Sequence, residues 1–182
     1  MKAPILSLVA LLVCSVGFSQ VKKLNNNNSK ISVSGTSSLH DWTMTMDQVS
    51  GQGAFKLEGN TIQSISDVSI TLKVEGLKSG KSGMDKNAYK AMETGKYPNM
   101  VYKSSKNAIA GNKVTSTGQL TLANTTKTVV LNLTCSATGN TVKCTGKLPI
   151  KMTDYGIKPP TAMMGTIKTG DALTIDITAS FQ

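Results

Sequence analysis

The sequence predicts an all-β domain: about eight antiparallel strands closed into an up-and-down barrel, with one short helix inserted near residues 84–94. Three observations carry this. From Lys113 to Met152 the chain alternates with period two. Val114, Ser116, Gly118, Leu120 and Leu122 share one face, then Val129, Leu131, Leu133 and Cys135, then Cys144, Gly146, Leu148 and Ile150. Such alternation gives every strand one dry and one wet face. Turn signals separate the runs, most clearly Gly139-Asn140, and a break is expected from Asn124 to Lys127. The cysteines supply the third observation. With a two-residue loop at Gly139-Asn140, Cys135 and Cys144 fall directly opposite, at a non-hydrogen-bonded site close enough to bridge. A barrel of this size hides its strand edges around an interior just wide enough for side chains or for one ligand.

Residues 1–19 read as an export signal. Lys2 precedes the apolar run Ile5–Val16, too short to span a bilayer, and Gly17-Phe18-Ser19 leads to a cleavage before Gln20. A lipoprotein signal ending at Cys14 is the weaker reading, because Val13 stands where a small residue is wanted. Residues 20–182 are then one domain, bound for the periplasm or secreted. Without Cys14 two cysteines remain in an oxidising compartment, so a Cys135–Cys144 disulfide is the default and two buried free thiols the alternative.

The elements are taken in chain order. Val21–Ser29, with its asparagine run, reads as a lead-in without structure of its own. Ile31, Val33 and Gly35 alternate with serines as a first strand. His40-Asp41 turns the chain, and Trp42, Met44 and Met46 share the next inner face. Gly51 and Gly53 suggest a bulge or bend before Phe55 and Leu57, and Glu58-Gly59-Asn60 a turn. Ile65 to Leu77 is the clearest single strand, with Val68, Ile70, Leu72 and Val74 inside. Met84 to Thr94 reads as the helix, Asp85 in its first turn and Gly95 after its last. Tyr97-Pro98 ends it, and Met100–Ser105 is a strand that Gly111-Asn112 turns into the alternating block. Asp154–Met164 is irregular, and Leu173, Ile175, Ile177, Ala179 and Phe181 form the last strand.

Composition excludes more than it assigns. The formal charge is +10, one unit of it from Lys2, and every basic residue is lysine. Lack of arginine argues against nucleic acid. The lysines stand singly on wet positions, as a solvated surface that favours transient contact with an anionic membrane. His40 beside Asp41 lacks a G-x-S-x-G elbow and is read as loop structure rather than catalysis. No H-x-x-x-H or C-x-x-C spacing points to a metal. Beyond residue 19 the aromatics are only Trp42, Phe55, Tyr89, Tyr97, Tyr102, Tyr155 and Phe181. Inner faces of Val, Ile, Leu, Gly and Met leave either a collapsed sandwich or a soft-walled space, roughly 26–33 Å long for strands of eight to ten residues. An ordinary packed core stays open as the alternative.

Four stretches carry a family resemblance. Ser32-Val33-Ser34-Gly35-Thr36-Ser37-Ser38-Leu39-His40-Asp41-Trp42 is the most specific, followed by Lys96-Tyr97-Pro98-Asn99-Met100. Gly118-Gln119-Leu120-Thr121-Leu122 with Thr126-Lys127 is the third, and Asp154-Tyr155-Gly156 with Gly170-Asp171-Ala172-Leu173-Thr174-Ile175 the fourth. Together they resemble the YceI-like family of bacterial envelope proteins, over essentially Ile31–Phe181. The resemblance implies a lipocalin-like barrel and a non-catalytic carrier that holds a long apolar lipid, a polyisoprenoid or isoprenoid quinone, in a tunnel. No other cofactor is implied. The candidate lining is Trp42, Met44, Met46, Val68, Ile70 and Leu72 from the first half of the chain. Leu131, Leu133, Leu148, Ile175 and Ile177 join it from the second. Met84, Tyr89, Met92 and Tyr97 are candidates for a lid or rim. An arginine often seen before the family's helix has no counterpart beyond Lys81 and Lys86, and the Cys135–Cys144 pair is not a general family feature. The competing reading is an interaction domain with a filled core, acting through its basic face. Nothing in the pattern selects between a monomer and a homodimer.

Overall fold

A computed structural model describes residues 19–182. The export signal expected before Ser19, and Cys14 with it, lies outside the described residues. Twelve strands occur among the described residues, against about eight expected. They are β1 (Gln20–Lys23), β2 (Lys30–Ser37), β3 (Trp42–Met46), β4 (Ser50–Glu58), β5 (Thr61–Lys73) and β6 (Leu77–Lys78). After helix α1 (Ser82–Ala91) come β7 (Asn99–Ala110), β8 (Lys113–Leu122), β9 (Thr125–Thr138), β10 (Thr141–Lys151), β11 (Thr161–Ala162) and β12 (Ile167–Phe181). The strands without a clear sequence counterpart, β1, β6 and β11, are four residues or fewer, too short for a period to register.

The sheet is antiparallel throughout, in the order β1-β4-β5-β7-β8-β9-β10-β12-β2-β3-β6, with β11 folded onto β12. It curls until β1, at one end of this order, reaches the end of β12. The chain at the end of β12 bonds back to the end of β1 and the residue after it: Lys23 N donates to Gln182 O at 3.0 Å, Gln182 N to Lys23 O at 2.9 Å, and Leu24 pairs with Phe181. β1 therefore lies between β4 and β12 and closes one end of the barrel. This corrects the reading of Val21–Ser29 as a structureless lead-in. Its pattern is hidden because Lys22, not an apolar residue, is the buried member of β1, its Nζ donating to Asn140 O at 2.8 Å and to Asn140 Oδ1. Asn25 then caps a short 3₁₀ turn, its Oδ1 accepting from Asn27 N and Asn28 N.

From β8 to β10 the observed register is the one the alternation dictates. The turn at Ala123-Asn124 is tighter than the four-residue break expected, with both residues at positive φ (43° and 66°), as a two-residue hairpin loop needs. Thr138 pairs with Thr141 across Gly139-Asn140, and Cys135 sits opposite Cys144 with Cα atoms 4.1 Å apart, joined by a disulfide.

β5 departs from expectation. It starts at Thr61, and Val74–Gly76 is a 3₁₀ turn rather than strand. Two register shifts against β4 leave extra residues on β5, one of them beside Gly53 and Asp67, whose φ is 52°. Each bulge reverses the facing of the residues beyond it. Ile62, Ile65 and Val68, three apart, therefore all face the core, with Ile62 and Ile65 buried.

Helix α1 begins and ends earlier than residues 84–94. Asp85 accepts from Ser79 N at 2.8 Å and Ser79 Oγ at 2.6 Å, which draws the chain into the helix at Ser82. Those bonds hold the Asp85 carboxyl below the usual carboxylate range, the hydroxyl contact first. Met92 is the C-cap, and Glu93 at φ 50° ends the helix.

Candidate functional site

The strands run so that the barrel has a floor and a mouth. At the floor, Phe55 and Phe181 pack with ring planes tilted by 50° and centroids 4.9 Å apart, and Val142, Val114, Cys135 and Cys144 pack around them, all buried. Each large apolar side chain so buried stabilises the fold by about 1.5–3 kcal/mol. At the mouth, Met92 and Ala91 at the end of α1 lie over Met100, Met152 and Ile157.

Between floor and mouth lies a partly open cavity of about 120 Å³, and a second of about 90 Å³ adjoins it under α1. Val33, Met100, Leu122 and Ile175 stand on both walls and bring the two together. The walls are almost wholly apolar. Of the residues expected to line a tunnel, Met46, Val68, Ile70 and Leu72 stand on the inner cavity's wall, as do Leu131, Leu133, Leu148, Ile175 and Ile177. Trp42 and Met44 stand on the outer one. Trp42 lies across Gly35, where a Cβ would come within 2.5 Å of its ring, and its Nε1 donates to Thr36 O at 3.0 Å.

The rim residues separate. Met92 reaches the outer cavity wall, and Met84 packs against the cluster of Ile31, Met44 and Leu77. Tyr89 and Tyr97 are not on either wall. Tyr89 instead pins the helix from outside: its hydroxyl lies 2.8 Å from Leu77 O and 2.9 Å from Glu75 O, and accepts from Lys78 Nζ at 3.0 Å. That bond from Lys78 is also what raises the lysine's pKa. His40 is exposed, its Nδ1 2.6 Å from Asp41 O, while Ser37 Oγ donates to His40 O at 2.7 Å, a loop arrangement. Among the described residues no group of three His, Cys, Asp or Glu is close enough to hold a metal ion, and no helix is long and apolar enough to cross a membrane.

Sequence reasoning missed a polar group in this wall. Tyr102, Asn107 and Ser116 all line the inner cavity. Tyr102 Oη lies 2.7 Å from Ser116 Oγ, which lies 2.6 Å from Asn107 Oδ1, and Asn107 Nδ2 donates to Ile65 O at 3.1 Å. Burial pushes the Tyr102 phenol's pKa up, against a smaller lowering by Ser116. Gly118 makes room for that ring, since a Cβ there would come within 2.7 Å of it.

A model of the YceI-like domain matches residues 23–181, nearly the whole described chain. The chain belongs to the YceI-like family. Solved structures share the fold of this YceI-like domain. Burkholderia cenocepacia BcnA superposes with a TM-score of 0.73 at 21% identity, covering 86% of this chain and 98% of that one. A polyisoprenoid-binding domain from Saccharophagus degradans, implicated in plant cell wall breakdown, gives 0.65 at 14% identity over 88% and 97%. A Campylobacter jejuni YceI protein gives 0.61 at 17% identity over 99% and 97%. No curated relative matches the sequence. The all-β, lipocalin-like barrel expected of the sequence is the observed fold, with more strands than expected.

Proposed function

We propose that this YceI-like protein is an exported, non-catalytic carrier that shields a long apolar lipid, a polyisoprenoid or an isoprenoid quinone, inside the barrel. The observation that carries the reading is an apolar interior whose deep wall holds a single hydrogen-bonded polar group. The family supports an apolar lipid as guest, and a relative of the same fold is described as polyisoprenoid-binding. Burying roughly ten methylenes yields about 8 kcal/mol, enough for micromolar binding without a charged anchor, before ordering costs are subtracted. The cavities are smaller than the roughly 300–1,000 Å³ of a drug-sized site, so loading requires side chains to move. Met44, Met46, Met92, Met100 and Met152 are the flexible members of the wall. Export rests on the pattern of Lys2, Ile5–Val16 and Gly17-Phe18-Ser19.

The guest needs a source, and the rim offers a contact for an anionic membrane. Met163 and Met164 are 74% and 108% exposed at the tip between β11 and β12, and Leu39 is 65% exposed. Ser38 N donates to Lys168 O at 2.9 Å and Lys168 N to Ser38 Oγ at 3.0 Å, which ties the Leu39 loop to that hairpin. Pro160 and Thr169, at the hairpin's base, line the outer cavity.

Native mass spectrometry of the purified protein, followed by organic extraction, tests the carrier reading. A long-chain apolar lipid released in stoichiometric amount supports it. A protein that always arrives empty and takes up no lipid removes it.

A further inference from the structure

The polar group in the wall has a direction. Ile65 O can only accept, so the Asn107 amide must present Nδ2 to it at 3.1 Å, and the same Nδ2 lies 3.2 Å from Ser104 Oγ. Asn107 Oδ1 therefore faces Ser116, and Ser116 Oγ, 2.6 Å away, must donate to it. A hydroxyl carries a single proton. Ser116 has spent its own, so in the 2.7 Å contact with Tyr102 it is the acceptor and Tyr102 Oη the donor. The other acceptor within reach of the phenol, Ser116 O at 3.4 Å, is too distant to compete. Every proton in the chain Tyr102 to Ser116 to Asn107 runs away from the phenol. Its oxygen keeps acceptor capacity and has no proton left to offer.

We infer that Tyr102 is a specificity-determining residue of the lumen, an acceptor that favours a guest bearing a hydroxyl group over one whose polar atom is a carbonyl oxygen or one with no polar atom. The inference rests on the carrier reading and narrows its guest to a long-chain alcohol or phenol-type lipid. A carbonyl brought to the same place would set two acceptors against each other, and a hydrocarbon would leave the phenol oxygen unanswered in an apolar wall. The other two polar members of this group, Ser116 and Asn107, are committed within it, Asn107 through both ends of its amide. Gly118 and the bulge at Ser104–Lys106 flank this arrangement: one admits the Tyr102 ring, the other turns Asn107 to the same face.

Delipidated full-length domain is titrated with octadecan-1-ol, octadecan-2-one and octadecane. The alcohol is expected to bind about fivefold to tenfold tighter than the other two, the value of one net hydrogen bond. In Tyr102→Phe the three converge while hydrocarbon affinity holds. In Ser116→Ala the phenol proton loses its acceptor, and the ketone gains several-fold relative to the alcohol. This second variant removes only one oxygen and keeps the test decisive if Tyr102→Phe folds poorly. Equal binding of all three by the native protein, or an alcohol preference that neither variant changes, overturns the assignment while leaving the carrier reading standing. Binding of none of the three removes the carrier reading and this inference with it.

Discussion

The floor and the mouth of the barrel are built from the same kinds of residue and behave as different materials. At the floor, Phe55 and Val142 are 1% and 0% exposed, the Cys135–Cys144 disulfide faces inward, and β1 seals the sheet. At the mouth, α1 buries no residue completely, and Met92, Met100 and Met152 stand beside Trp42 and Tyr155. A tightly packed interior resists any change of volume, whereas methionine adapts to what it meets. The contrast teaches how a small barrel can be stable and still admit a guest: rigidity is concentrated at the blind end and compliance at the open one.

The sharpest way to break this comparison is to truncate one residue at each end. Phe55→Ala is expected to lower unfolding free energy by about 3–5 kcal/mol, as large aromatic deletions in cores do. Met92→Ala, at a half-buried helix cap beside a cavity that can take up the change in volume, is expected to cost about 1 kcal/mol, well under the loss at Phe55. Urea denaturation of both variants checks this. Equal losses would mean the mouth is packed as firmly as the floor.

Next in size is the disulfide. Replacing both Cys135 and Cys144 with alanine is expected to cost roughly 2–3 kcal/mol, because the short loop they close restrains the unfolded chain only modestly. Thiol titration of the denatured, unreduced protein should find no free thiol from this pair. Affinity for a guest lipid should change little, since Cys144 is one small member of the inner cavity's long apolar wall.

Legibility in the sequence divides along similar lines. The faces of β8, β9 and β10 were legible to the residue because nothing interrupts their period, and one turn plus two cysteines fixed their register. The β5 face was legible only from Val68 onward. Ile62 and Ile65 face inward because bulges insert residues opposite β4, and a bulge leaves no mark in a two-residue period. The polar group was hidden for the same reason. Tyr102 and Asn107 are five residues apart, which alternation assigns to opposite faces, and the extra residue between Ser104 and Lys106 reverses that. Ser116 was visible on the inner face but only as a small filler. Lys22 concealed β1 because a buried lysine is rare, and its partner Asn140 lies 118 positions away.

Tyr89 sharpens the comparison from the mouth side. Tyr89→Phe removes the hydroxyl that ties α1 to the carbonyls of Glu75 and Leu77. The expected cost is about 1 kcal/mol, read as faster amide exchange confined to α1 and faster guest loading, with floor amides unchanged.

The smallest effect expected is from acid. Asp85 and Asp171 both have carboxyls held below the usual range, mainly by hydroxyls of Ser79 and Thr153. A lowered folded-state pKa contributes stability that is present above the unfolded value of about 3.9 and lost as pH falls through the folded one. Exchange measured between about pH 5 and pH 2.5 should therefore show the start of α1 and the Thr153 turn loosening first, before the floor. Opening of the floor at the same pH would contradict that order.

The account stands on a lipid chain lying inside the barrel. The direct measurement is nuclear Overhauser contact between a bound long-chain lipid and methyl groups of the protein. The expected result is contact with Val68, Leu131 and Leu133, deep on the inner wall, together with Met92 at the mouth. Contact confined to outward side chains such as Val130 or Met164, with the deep methyls silent at saturating lipid, would contradict it.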